Sequence, residues 1–178
     1  MTHPQYLLFD DASTKPYDGG VARPRRLDEH QRRLWEAYRD LYQELSSALQ
    51  EQLLRDAGLS GSEYAVLVTL SHTPDGVLRA RELGSELAWD RSRLSHLVRR
   101  MEKRGLIARE DCSEDARGSM VRLTDAGRDA IKGAAPKHAA TVRRHFFDRL
   151  SDRELATLST VFDRLLDHLS GDKTVRRS

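Results

Sequence analysis

The 178-residue chain is 38% hydrophobic and 33% charged, enough apolar material for one ordinary core. Its formal net charge of +2 permits a polyanionic partner without demanding one. The single cysteine, Cys112, excludes an intramolecular disulfide, and neither a membrane span nor a signal-like N-terminus is visible, so a cytoplasmic protein is expected.

Residues 1–26 hold three prolines and two adjacent glycines without lasting periodicity. They read as a flexible arm, whose basic end Arg23-Pro24-Arg25-Arg26 is either a phosphate contact or plain linker. Residues 27–60 form the next segment, dominated by a long helix from Asp28 to Ala57. Leu34, Tyr38, Leu41, Leu45, Ala48 and Gln52/Leu53 keep a near-heptad rhythm along it, and Gly58 ends it. Trp35, Tyr38 and Tyr42 share one side at i, i+3 and i+7. Such a stripe is either core or the wall of a small-molecule pocket.

Residues 61–124 read as a winged helix-turn-helix unit. A helix opening at Ser60 or Ser62 carries Tyr64, Val66, Leu67 and Leu70 to a Pro74-Asp75-Gly76 turn. A short helix from Arg79 to Leu87 follows, with Leu83 and Leu87 on one side and Arg79 on the other. Leu87-Ala88-Trp89-Asp90 makes the turn, where Trp89 is either a wedge under the next helix or a pocket wall.

That next helix, Asp90 to Arg104, carries the functional signal. Asp90 is a ready N-cap, and Leu94, Leu97, Val98 and Met101 form an apolar stripe. The opposite face presents Ser92, His96, Arg99 and Lys103, flanked by Arg91, Arg93, Ser95 and Arg100. From Asp90 to Gly105 six Lys/Arg stand against two Asp/Glu, a local net of +4 in a chain of +2. Small serines near its start suit close approach to base edges, whereas Arg79 on the preceding helix suits the backbone. Gly105 ends the helix, and Leu106–Glu110 and Met120–Thr124 follow as the two strands of a wing. Between them a polar loop bends at Gly118 and carries Arg117, a cation suited to a narrow minor groove, with Asp115 placed to orient it. Cys112, at the base of that loop, is a candidate for oxidation that would disturb DNA contact.

Residues 125–170 return to helices. Thr124 caps one running to Arg149, packed through Ala130, Ala134 and Ala135 and kinked at Pro136. Ser151 caps the last, with Glu154 in the capping-box position and Leu155, Leu158, Phe162, Leu165, Leu166 and Leu169 on one stripe. Residues 171–178 read as a disordered, basic tail. The first and last helices carry more apolar seam than one winged helix can cover, so they form either an isologous dimer interface or an intrachain bundle. No cofactor is expected. His138 and His145 stand too far apart along the helix for the usual metal pair, and GxSxG, P-loop and HExxH motifs are absent, so neither a metal site nor catalysis is expected.

The wing segment DARGSMVRLT resembles the signature of MarR-family winged-helix regulators. The resemblance continues through SRLSHLVRRMEKRGLIARE, LSGSEYAVLVTLS and LTDAGRDAIKGAAPKHAATVRRHFFDRLSDRELATL, covering about Leu27 to Leu169. It implies a mainly α protein with a small two-stranded β-wing, its N- and C-terminal helices joining two copies into a triangular homodimer. Such a regulator binds a pseudo-palindromic double-stranded DNA operator, usually represses, and often lets go when a phenolic or other small aromatic ligand binds. By matching position, Arg117 would be the minor-groove arginine with Asp115 its partner, and Ser92, Ser95, His96 and Arg99 the major-groove readers. The resemblance also implies a ligand pocket between the dimer helices and the reading head, for which Trp35, Tyr38, Tyr42 and Tyr64 are the candidates. Peroxide sensors of the family carry a cysteine near the first helix, and this chain has none there. The alternative is a winged-helix protein-interaction or architectural DNA-binding protein without an effector.

Overall fold

The computed structural model describes residues 26–111 and 119–175. The elements are α1 (Glu29–Ala57), α2 (Gly61–Ser71), β1 (Val77–Arg79), α3 (Ala80–Glu86), α4 (Arg91–Lys103), β2 (Ile107–Asp111), β3 (Ser119–Leu123), α5 (Asp125–His145) and α6 (Asp152–Val175). Single 3-10 turns at Pro74–Gly76 and Phe147–Arg149 separate some of them. The expected arm over residues 1–25, the loop with Cys112, Asp115, Arg117 and Gly118, and residues 176–178 lie outside the described residues.

The chain divides into two compact units, one ending at Glu44 and one beginning at Leu45, with α1 crossing the boundary. In the first unit, Asp28 accepts from the Gln31 N–H at 2.8 Å while the Gln31 side chain accepts from the Asp28 N–H at 3.0 Å. This reciprocal cap satisfies donors the first helical turn leaves free. Arg32 then pairs with Glu29 and Glu36, and Arg33 with Glu29. Exposed pairs at this spacing contribute about 0.2–0.5 kcal/mol each, supporting the helix without fixing it.

The second unit holds the core. Leu53, Leu59, Val66, Leu67, Leu70, Leu83, Leu94, Leu97, Val98, Met101, Leu106, Ile107, Val121, Leu123 and Ala134 form one buried cluster. Gly58 turns the chain out of α1 at φ +62°, a conformation glycine adopts without steric cost. Ser60 then caps α2 with Glu63 in a full capping box.

The wing has the two strands expected, and a third joins them. β1 pairs with β3 in register Val77↔Arg122, Leu78↔Val121 and Arg79↔Met120, giving an antiparallel sheet of order β1-β3-β2. Leu78 packs against the core from this strand. Arg79, expected on the first helix of the reading head, instead ends β1 and stands at the N-cap of α3. Its backbone is extended (φ −64°, ψ 138°), and the Glu82 carboxylate accepts its N–H at 3.4 Å. Strand pairing thus takes the residue that helix periodicity had claimed.

Two C-terminal boundaries also shift. α5 ends at His145, not Arg149, because Phe146 leaves helical dihedrals at φ −120°, ψ −65°. α6 starts where expected: Ser151 and Glu154 cap reciprocally, with the Glu154 carboxylate accepting both the N–H and the hydroxyl of Ser151. It runs on to Val175, past the end of its apolar stripe.

The start of α5 is fastened to the end of α4. The Thr124 hydroxyl accepts from the Gly127 N–H at 3.1 Å and donates to the Gly105 carbonyl at 2.6 Å, and the Thr124 N–H reaches the Leu106 carbonyl at 3.3 Å. Gly127 fits because it has no Cβ: one added there would lie 2.2 Å from the Leu106 carbonyl oxygen and 2.7 Å from Leu123 Cδ1. Neither neighbour can retreat without parting α5 from the wing. Gly127→Ala is expected to destabilise the fold by roughly 1–3 kcal/mol or more, the range for overpacking, as a lowered midpoint of urea unfolding. An unchanged midpoint would show that this contact relaxes freely.

Candidate nucleic-acid interface

The turn between α3 and α4 is tight. Ala88 sits at φ +51°, and the Trp89 N–H returns to the Gly84 carbonyl at 2.9 Å. Trp89 is half-buried against the core, so of its two readings the wedge is the one observed. Its ring lies 4.4 Å below the Arg93 guanidinium, a cation–π contact that holds Arg93 along the flank of α4. Asp90 caps α4 by accepting from the Arg93 N–H at 2.9 Å.

Leu94, Leu97, Val98 and Met101 are all buried, which turns the opposite face of α4 outward. Arg91, Ser92, Ser95, His96, Arg99 and Lys103 are exposed. Among the described residues, none of these six side chains makes a hydrogen bond or ion pair. The structure therefore brings this group together on one solvent-facing surface.

Arg100 departs from that set. Its Nε is 3.4 Å from Glu63 Oε1, and Arg104 reaches the same oxygen at 2.8 Å. Arg104 also donates to the Gly58 carbonyl at 2.9 Å. The other Glu63 oxygen accepts the Ser60 N–H at 2.8 Å and the Ser60 hydroxyl at 3.0 Å. Glu63 is only 3% exposed. Burial resists its ionisation, but the bonds from the Ser60 N–H, Arg104 and the Ser60 hydroxyl outweigh it and hold its carboxyl below the usual carboxylate range. The serine–glutamate capping spacing is legible in the chain; the arginines arriving from forty residues away are not.

On the wing, Arg122 forks onto Glu110 at 2.6 and 3.0 Å, and Arg109 reaches Glu102 at 2.8 Å. The bond from Arg122 lowers the pKa of the Glu110 carboxyl. Asp115 and Arg117 belong to the loop outside the described residues, so β2 and β3 show only where that loop is anchored.

The candidate ligand residues fall in separate units. Trp35 and Tyr38 stack in the first with centroids 5.4 Å apart, and Tyr42 stands exposed beside them in sequence. Tyr64 belongs to the second, where it packs on the His138 ring at 4.7 Å. His138 Nδ1 is 3.1 Å from the Gln52 amide oxygen, and the Gln52 amide nitrogen donates to Asp56 at 3.1 Å. His145 does not share this cluster; its Nε2 lies 3.4 Å from an Arg144 guanidinium nitrogen. Among the described residues, no three His, Cys, Asp or Glu converge as a metal cage, and no helix is long and apolar enough to cross a membrane.

A short helix, a tight turn, a second helix with one buried stripe, and an adjoining antiparallel hairpin together define a winged helix-turn-helix protein. A model of the MarR family matches residues 57–118. Sco3205 of Streptomyces coelicolor, a MarR family transcriptional regulator crystallised with DNA, is 38% identical. The similarity covers 82% of this chain and 92% of that one, with a TM-score of 0.77. The HTH-type regulator YkoM of Bacillus subtilis is 28% identical over 56% of this chain and 65% of its own length. The transcriptional repressor MprA of Escherichia coli is 24% identical over 66% of each chain. The chain spans just under two thirds of the length of these curated relatives. It belongs to the MarR family, which consists of transcriptional regulators and not of enzymes.

Burial lowers the pKa of His138, so the folded protein keeps the ring neutral where the unfolded chain protonates it. The unfolded state then binds more protons just below the ordinary histidine value of about 6.5, and stability rises with pH through that window. His138→Gln is expected to flatten this rise in urea titrations between roughly pH 5 and 7.5. An equal slope in both proteins would locate the pH dependence elsewhere.

Proposed function

We propose that the protein is a sequence-specific DNA-binding regulator that reads a pseudo-palindromic operator as a homodimer and represses by occupying it. The observation that carries this reading is the α4 surface: Arg91, Ser92, Ser95, His96, Arg99 and Lys103 stand exposed without side-chain partners among the described residues, opposite a buried stripe. Polar and cationic side chains fixed on the outside of a rigid helix suit the major groove, the serines and His96 at base edges, Arg99 at guanine or phosphate, and Lys103 at phosphate. Arg91, Arg93 and Arg79 flank the helix as backbone contacts, and Arg117 with Asp115 reaches the adjacent minor groove. That the related Sco3205 was crystallised with DNA supports DNA as the partner.

The dimer reading rests on α6. Phe162, Leu165, Leu166 and Leu169 are 43–60% exposed, an apolar stripe left open to solvent among the described residues. A second copy would bury it by two-fold symmetry and set two recognition helices about one DNA turn, roughly 34 Å, apart. The reading includes release by a small aromatic effector, for which Trp35, Tyr38 and Tyr42 of the first unit and Tyr64 of the second are separate candidates. Such an effector would act by binding one lobe spacing better than another.

Selection of genomic fragments followed by footprinting tests the reading. The expected result is a protected pseudo-palindrome with half-sites one helical turn apart. In the same assay Lys103→Ala should weaken all sequences alike and flatten the salt slope by about one unit. Binding that is salt-sensitive but indifferent to sequence would favour an architectural role, and no DNA binding a protein-interaction role.

Leu166→Arg places a charge on the α6 stripe without touching α4. Sedimentation should then show monomers that bind the operator far more weakly than wild type. A dimer that persists would remove α6 from the interface.

A further inference from the structure

The Glu63 cluster has no part in the reading face, yet it spends two of the six cations in the α4 segment. Arg100 and Arg104 stand one turn apart and converge on one carboxylate oxygen, at 3.4 and 2.8 Å. The carboxylate cannot turn to solvent, because its second oxygen is held by the Ser60 N–H and hydroxyl and the residue is 3% exposed. Both arginine side chains keep solvent-facing surface, at 59% and 40% exposure, so what restrains them is the anion and not the packing. Arg104 is further tied to the Gly58 carbonyl, at the end of α1.

We infer that Glu63 limits the sequence-independent DNA affinity of the protein: it holds Arg100 and Arg104 as its own counter-ions and so withholds two guanidinium groups from the DNA backbone. The inference rests on α4 being the recognition helix. Phosphate contacts strengthen binding to every sequence alike, so each cation left free raises affinity for random DNA without adding any discrimination in favour of the operator. With Arg100 and Arg104 engaged and Arg93 lying over Trp89, the α4 cations without partners among the described residues are Arg91, Arg99 and Lys103. Glu63 also fixes the C-terminal end of α4 to the α1–α2 joint, making the same carboxylate a positioning residue for the helix.

The test measures binding of the full chain to its footprinted operator and to an unrelated duplex over a salt series. Glu63→Gln keeps the shape and the acceptor for Ser60 but removes the charge. It is expected to bind the unrelated duplex more tightly, with a salt slope steeper by about one to two units, near 0.9 for each phosphate newly contacted. The operator should gain by a similar factor, leaving the operator-to-random ratio near its wild-type value. Adding Arg100→Gln to that variant should reverse part of the gain, whereas Arg100→Gln alone should leave the slope unchanged. A Glu63→Gln protein that folds and shows the wild-type slope overturns the inference. So does a slope flattened by about one unit in Arg100→Gln alone, a result that does not depend on the Glu63 variant folding. Should the wild-type protein show no sequence-specific footprint, the recognition-helix reading falls and this inference with it. A normal footprint with unchanged slopes removes only the role of Glu63.

Discussion

Burial of a single stripe on α4 sets the rest of the reading head. Leu94, Leu97, Val98 and Met101 enter the same cluster as Val66, Leu67 and Leu70 of α2 and Leu83 of α3. Each such side chain contributes about 1.5–3 kcal/mol on leaving water, whereas helix propensity differs by only a few tenths per residue. Packing therefore decides the rotation of α4 about its axis. Once that rotation is fixed, Ser92, His96, Arg99 and Lys103 face outward as a consequence.

Apolar burial is non-directional and leaves α4 free to slide or tilt by small amounts. Polar joints at its two ends remove that freedom. At the N-terminus Asp90 accepts from the first turn, and Trp89 wedges into the core beneath Arg93. At the C-terminus Arg104 bridges Glu63 and the Gly58 carbonyl, and Thr124 reaches back to the Gly105 carbonyl. These bonds join α4 to the end of α1, the start of α2 and the start of α5. A shift of those helices would therefore pull on α4 through short directional contacts as well as through the shared core.

Much of this was legible in the chain, and the exceptions share a cause. The stripe of α4, the Asp90, Ser60, Thr124 and Ser151 caps and the glycine stops at Gly58 and Gly105 depend on neighbours within four residues. Sequence spacing records such neighbours directly. Strand β1 was not legible, since Val77–Arg79 is too short for a period and becomes a strand only by finding β3 some forty residues later. The same holds for Arg100: helix geometry places it on a flank, and only the buried Glu63 of another helix determines where its charge goes. Arg79 fails for the converse reason, because a pairing partner overrode its local pattern. Of the candidate site, the α4 residues are placed by the fold, while Arg117 and Asp115 rest on the resemblance of their segment.

Charge and apolar surface are distributed by the same logic. The chain as a whole is nearly neutral, so long-range attraction to DNA cannot come from net charge alone. It must come from where opposite charges are cancelled and where they are not. Glu29 and Glu36 engage arginines on α1, Glu110 and Glu102 engage Arg122 and Arg109 at the wing, and Glu63 engages two arginines beneath α4. The outward face of α4 receives no such partner among the described residues, so its cations keep their field. Meanwhile α6 leaves leucines and a phenylalanine exposed that a solitary chain would do better to bury. The outward face of α4 thus keeps a cluster of uncancelled cations, and α6, like α1, keeps large apolar side chains in solvent. The first suits the polyanion, and the α6 stripe the second copy of the chain, that the proposed function assigns to them.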